Sequence, residues 1–128
     1  LRGLLDTSVF IAREQGRDLL AERLPEEVAV SVITLAELEL GVQMAESEAI
    51  RAERMATFGS ARATYSALSI DERVASAFAE LVATARRAGR RPKVQDTWIA
   101  ATARAHDVTV YTQDDDFDGL TGVVVVKV

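Results

Sequence analysis

An α/β fold, with a mostly parallel sheet and helices on both faces, is what this sequence predicts, carried by residues 1–128 as one domain. Short apolar segments rich in β-branched residues alternate with longer helical ones, the chain order of a parallel sheet. The segments Thr109–Thr112 and Val123–Val128 are short, apolar and β-branched, as buried strands are. No linker, internal repeat or second composition interrupts the chain.

Gly3 to Asp6 (GLLD) reads as a short buried strand, and Thr7 to Glu14 as the helical turn that follows. Gly16 marks a break; a second helical piece runs from Arg17 to Leu24 and ends at Pro25. Glu27 to Ser31 is a strand with β-branched residues. Val32 to Ala45 is helical by its length and its Leu, Ala and Glu content. A long helix is expected from Ser47 to about Ala67, with Gly59 as the place where it would break. Asp71 caps the next helix, in which Val74, Phe78, Leu81, Val82 and Ala85 share one face, and Gly89 stops it. Beyond Pro92 a helix from about Asp96 to Ala105 carries an alanine stripe at 100, 101, 103 and 105, which permits close packing. Thr109–Thr112 is then a strand, Gln113–Gly119 an acidic turn and Val123–Val128 the last strand.

The bulk numbers exclude several classes. With 48% hydrophobic and 27% charged residues among 128, the chain buries roughly two-thirds of its unfolded surface and is not disordered. No cysteine is present, which removes disulfides, thiolate zinc sites and thiol nucleophiles, and points to a reducing cytoplasm. Leu1 to Leu5, interrupted by Arg2, is too short for the apolar region of a signal peptide, and no run approaches a membrane span. A soluble, cytoplasmic protein is expected. The net charge of −5 argues against a polyanion partner, yet the charge is segregated. Arg86 to Lys93 reads RRAGRRPK, with five cations and no acid. Such a run is a solvated helix end, where Arg86 and Arg87 complement the helix dipole, or a phosphate contact.

Four acidic positions stand where apolar segments end or turn: Asp6, Glu37, Asp96, and Asp114 with its neighbour Asp116. Strand ends of an open α/β sheet converge on one crevice, so these acids can share a pocket, and such a pocket repels itself without a cation. Alone, Asp6 and Asp96 are each expected to cap a helix. Thr34, Glu37 and Gly41 fall on one helical face that something can approach closely, with Glu39 turned to solvent. At Asp96 the partial positive charge of a helix N-terminus helps keep the carboxylate ionised. Oxygen ligands without His or Cys select Mg2+ or Mn2+ over zinc. Asp114, Asp116, Asp118 and Gly119 resemble the first half of an EF-hand loop, but position twelve is Val125 and the flanks read as strands. The single histidine, His106, reads as a helix-end residue, so no Ser-His-Asp triad is available.

Four motifs in order give a resemblance to the PIN-domain nucleases, and among them to VapC-type toxins: LLDTSVFI (Leu4–Ile11), S-x-x-T-x-x-E-L-x-x-G (Ser31–Gly41), QDTWIAATA (Gln95–Ala103) and TQDDDF (Thr112–Phe117). The resemblance implies a three-layer α/β/α sandwich with a mainly parallel sheet and an acidic pocket binding Mg2+ or Mn2+ for RNA cleavage. Asp6, Glu37 and Asp96 match the family's acids by position, and the fourth place is divided between Asp114 and Asp116. Asp115 lies outside the pattern. Thr97 and Trp98 depart from the small or apolar residues common there, and Trp98 is read as core or as a base-stacking ring.

The activity expected is metal-dependent endoribonuclease cleavage by an activated water. Asp6 and Asp96 would ligate directly; Glu37 and Asp114 or Asp116 would act through water or help activate the nucleophile. Thr7, Ser8 and Thr112 would hold that shell, and Arg86, Arg87, Arg90, Arg91 and Lys93 would contact RNA phosphates. The resemblance also implies a cognate antitoxin and a homodimer, with no membrane. Two rival readings are a docking module whose acidic groove binds a basic partner without catalysis, and a phosphoacceptor receiver domain, for which Lys127 comes too late.

Overall fold

The computed structural model describes residues 2–128; Leu1, the start of the short apolar N-terminus, lies outside them. In chain order the elements are β1 (Arg2–Leu5), α1 (Thr7–Glu14), a 3-10 turn (Ala21–Arg23), β2 (Glu27–Ser31), α2 (Val32–Gln43), α3 (Glu48–Thr64), β3 (Ser66–Leu68), α4 (Glu72–Arg87), α5 (Val94–Ala105), β4 (Thr109–Thr112) and β5 (Val125–Lys127). The five strands form one sheet in the order β3-β2-β1-β4-β5, and all four pairings are parallel.

Side chains alternate across that sheet, so neighbours in sequence enter different cores. Leu4 joins Val110, Val74, Leu81, Ile99 and Phe117 on one face, under α4 and α5. Leu5 joins Val30, Val9, Phe10, Leu38 and Phe58 on the other, under α1, α2 and α3. The result is a three-layer α/β/α sandwich with a parallel central sheet, as expected. Each fully buried Leu or Val contributes about 1.5–3 kcal/mol relative to an exposed one.

Several sequence expectations need correction. Residues 17–20 are not helical despite the i, i+4 spacing of Leu20 and Leu24, and only Ala21–Arg23 makes a 3-10 turn: Gly16, at a positive φ, turns the chain back and Gln113 Nε2 holds Asp18 O. The long helix passes Gly59 without a break and stops at Thr64. Tyr65 is then extended (φ −112, ψ 146), and Ser66–Leu68 adds an edge strand that three residues without β-branching did not announce. Ala100, Ala101 and Ala103 are fully buried, so the alanine stripe of α5 packs within the molecule and is not a free dimer face. The last strand is confined to Val125–Lys127.

Helix starts follow local chemistry. Ser31, Ser47 and Asp71 each accept a backbone N–H of their first turn, from Ile33, Ile50 and Val74 respectively. Strand order reverses about β1: the chain steps outward through β2 and β3, then returns beyond β1 to β4 and β5. The crevice at the carboxyl ends of β1 and β4 is therefore the topological switch point, where α/β sheets bind ligands.

Gly3 is required by close packing across these central strands. A Cβ there would strike the Tyr111 ring, 2.7 Å from Cδ2, and lie 3.1 Å from Pro25 Cγ. Gly3→Val is expected to destabilise the fold by about 1–3 kcal/mol, read as a lowered urea midpoint with an unchanged slope.

Candidate active site

Asp6 follows β1 directly, and its backbone N–H donates to Tyr111 O of β4 (2.9 Å), which locks the two central strand ends together. The residue caps α1, as expected, but its side chain is held more firmly than a cap requires. Oδ2 accepts from Ser8 Oγ (2.6 Å), Thr112 Oγ1 (2.9 Å) and the Ser8 backbone N–H (3.4 Å). All three act on one oxygen, which leaves Oδ1 for the cleft.

That hydroxyl layer is itself braced. Ser8 Oγ lies 3.1 Å from Thr112 Oγ1 and accepts from the Gln113 N–H (3.0 Å), while Thr112 Oγ1 accepts from the Asp114 N–H (3.0 Å). Thr7 Oγ1 donates to Glu37 Oε1 (2.8 Å) and contacts Thr34 Oγ1 (3.0 Å). Thr34 is fully buried beneath Glu37 on α2, and Glu39 is exposed, as the helical spacing implied. The near approach expected at Gly41 is made by α3, through Arg54, whose Nη1 donates to Gly41 O (2.8 Å).

Asp96 lies in the first turn of α5, which starts at Val94 with Lys93 as its cap residue. Asp96 is thus not the helix cap it was expected to be. The residue is 9% exposed, and its Oδ2 is buried with no hydrogen-bond partner among the described residues. Burial, then the charges of Asp6, Asp116 and Glu37, push its carboxyl up to about 7, against the opposing pull of Lys93. Burial also raises Glu37, with the Thr7 hydrogen bond working against it and Asp6 and Asp114 adding to it. Asp114 is raised by burial and by Asp6 and Asp116, and lowered by Lys93 and Arg17.

Asp6, Glu37, Asp96 and Asp114 line one cleft of about 160 Å³, together with Thr7, Ser8, Ile11 and Arg17. Asp116 is not among its lining residues and instead accepts from Lys93 Nζ at 3.1 Å. Asp115 and Asp118 both face Lys127, the latter at 3.7 Å. Among the described residues no three Asp, Glu or His side chains are closed on one point as a metal-ligand set. The acids stand apart, the spacing that mutual repulsion favours. The donor set nevertheless fits a hard divalent cation: four carboxylates, one of them with an orphaned buried oxygen, and no His or Cys.

The five cations of the basic run are all exposed. Arg86, Arg90 and Arg91 line a second cleft of about 670 Å³ with Phe78, Val82, Pro92, Val94 and Thr97. Arg87 lies outside it, Lys93 is paired with Asp116, and Arg90 Nη1 donates to Gly119 O (2.6 Å). The first turn of α5 separates the two clefts, with Asp96 on one side and Val94 and Thr97 on the other. Trp98 stacks on Phe78 (3.8 Å between centroids, 14° between planes) and packs against the core, the structural role anticipated for it. His106 ends α5, away from the acids. Arg17 is the lining residue that sequence reasoning missed: it was read as the start of a helix, and only the return of the chain after α1 brings it to the cleft.

A parallel sheet with carboxylates gathered at its switch point defines a class of acidic-cleft α/β proteins. The PIN-domain family model matches residues 3–122, and the chain belongs to the PIN-domain family, in its VapC-type branch. It is 45% identical to Ribonuclease VapC5 of Mycobacterium tuberculosis over 98% of this chain and 93% of that one. The crystal structure of VapBC-5 from the same organism matches with a TM-score of 0.88 at 42% identity, covering 99% of this chain and 97% of that one. FitAcB from Neisseria gonorrhoeae matches with a TM-score of 0.76 at 32% identity, over 98% and 96% of the two chains.

The raised carboxyl of Asp96 predicts a stability profile with a definite sign. Its folded value of about 7 lies above its ordinary value of 3.8, so the folded state holds the proton more tightly and loses stability as pH rises through that window. In chelator, Asp96→Asn is expected to melt higher than the wild type at pH 8, with the difference vanishing near pH 4. Thermal denaturation followed by circular dichroism across pH 4–8 checks this.

Proposed function

We propose that this chain is a Mg2+- or Mn2+-dependent endoribonuclease, the toxin of a toxin–antitoxin pair, with residues 1–128 as a single nuclease domain. The observation that carries the reading is the buried, unpartnered Asp96 oxygen in a cleft shared with Asp6, Glu37 and Asp114. Relatives named ribonucleases that align over nearly the whole chain support it.

Asp6 and Asp96 would hold the cation directly, with Glu37 and Asp114 reaching it through water. Asp114 fits the fourth place better than Asp116, whose carboxylate is engaged by Lys93. A bound divalent cation supplies a water of lowered pKa and charge stabilisation at the leaving oxygen. Ser8 and Thr112 fix the Asp6 carboxylate, and Thr7 fixes Glu37, so that both keep their direction when the cleft fills. Glu37, with its raised pKa, is suited to take a proton from the attacking water. Arg86, Arg87, Arg90 and Arg91 would hold flanking RNA phosphates, with Lys93 released from Asp116 to join them.

An antitoxin partner is supported by solved relatives described as VapBC and FitAB assemblies. Leu40 on α2, Met44 just past its end and Met55 on α3, exposed by 60%, 69% and 51%, supply apolar surface for a protein partner or a second copy. Among the described residues no helix is long and apolar enough to cross a membrane.

Cleavage of cellular RNA with and without Mg2+ or Mn2+ tests the reading. Asp6→Asn and Asp96→Asn are each expected to lower the rate on the order of 100-fold or more; full activity in both variants, or in chelator, overturns the proposal. Thr112→Val is expected to lose about 10- to 100-fold, because it removes a donor to Asp6 without touching the charge.

A further inference from the structure

We infer that Arg17 is a catalytic residue that grips the scissile phosphate inside the acidic cleft, an inference that rests on the ribonuclease reading above. Its placement is built, not incidental. Gly16 has a positive φ of 68°, and the Arg17 N–H returns to Ala12 O at 2.8 Å, so the chain doubles back at the end of α1. The next residue is tethered: Gln113 Nε2 donates to Asp18 O (3.0 Å) and to Val128 O (2.8 Å), while the Gln113 N–H donates to Ser8 Oγ. Gln113, the residue before Asp114, thus ties the Arg17–Asp18 segment to the hydroxyl layer that holds Asp6.

Among the described residues Arg17 is the one cationic side chain lining the acidic cleft. Its charge acts on Asp114, yet no ion pair within 4.0 Å engages it among the described residues. Outside this cleft, Lys93 pairs with Asp116 and Arg90 Nη1 donates to Gly119 O. A guanidinium serving only to neutralise the acids would close on one of them. This one is exposed and keeps its donors free.

The chemistry of the substrate explains such a group. A phosphodiester is an anion, and four carboxylates oppose its entry. A guanidinium presents paired N–H donors matched to two non-bridging phosphate oxygens, and its attraction strengthens as negative charge builds on them during attack. Arg17 therefore acts on the reacting phosphate, whereas the Arg86–Lys93 run borders a different cleft and acts on flanking ones.

Single-turnover cleavage of one RNA oligonucleotide that the wild type cuts, in saturating Mg2+, tests the assignment, with Mn2+ affinity measured calorimetrically on the same proteins. Arg17→Ala is expected to lower the saturating rate about 100-fold with little change in Mn2+ affinity, and Arg17→Lys to recover part of the loss. Arg17→Ala cleavage within about 3-fold of wild type, alongside an inactive Asp96→Asn, overturns the role of Arg17 and leaves the ribonuclease reading intact. A rate loss matched by an equal loss of Mn2+ affinity also overturns it, because Arg17 would then act through the metal site. A wild type that cuts no RNA with either cation sinks the ribonuclease reading itself, and this inference with it.

Discussion

Like charges held in one half-buried cleft must either bind protons or share a cation, and the arrangement of this molecule follows from that constraint. Asp6, Glu37, Asp96 and Asp114 come from four separate segments and meet at the switch point of the sheet. Burial raises the carboxyls of Asp96, Glu37 and Asp114, and repulsion from neighbouring carboxylates raises them further. The fold sustains this cost because two apolar cores, one on each face of the sheet, fix the strand ends regardless of what the acids prefer. Were Asp6, Glu37, Asp96 and Asp114 to hold a divalent cation, the same repulsion would be relieved on binding, and only in the folded state.

The hydroxyl layer beneath the acids sets their direction. Ser8 and Thr112 occupy one oxygen of Asp6 and leave the other open, while Thr7 orients Glu37. Asp6 is thus both helix cap and cleft-lining residue, and the two roles fall to different oxygens: Oδ2 takes the cap and hydroxyl bonds and Oδ1 is left without them. Asp96 has no such support. Burial of its unpartnered oxygen in the first turn of α5 is opposed by the partial positive charge of the helix N-terminus and by Lys93, without any hydrogen bond, so of the four it stands to gain most from a cation.

Much of this was legible from the chain. Leu4 and Leu5 before Asp6, and Thr34 three residues before Glu37, carry their direction in a local period of two or 3.6, and both acids stand where that period places them. The place of Asp96 among the acids follows from its position where an apolar segment turns, but its helix begins two residues earlier, since Lys93 is the extended cap residue (φ −64, ψ 138) and no side-chain cap marks the start. The fourth acid was not decidable from order alone: the ion pair of Asp116 with Lys93, 23 residues away, separates it from Asp114. Arg17 and the edge strand Ser66–Leu68 were invisible for the same reason. Neither has a local periodic signal, and both depend on where distant segments return.

Cationic and acidic surfaces are divided by the first turn of α5, so one short helical turn borders both the acidic cleft and the cleft lined by Arg86, Arg90 and Arg91. That division makes sense only if the acidic side is neutralised in the working state. Manganese anomalous scattering from crystals of the chain tests this most directly. The account predicts a peak about 2.0–2.2 Å from carboxylate oxygens of both Asp6 and Asp96, lost in Asp96→Asn. A wild-type cleft without a peak at millimolar Mn2+, or a peak held by Asp116 and Asp118 instead, would contradict it.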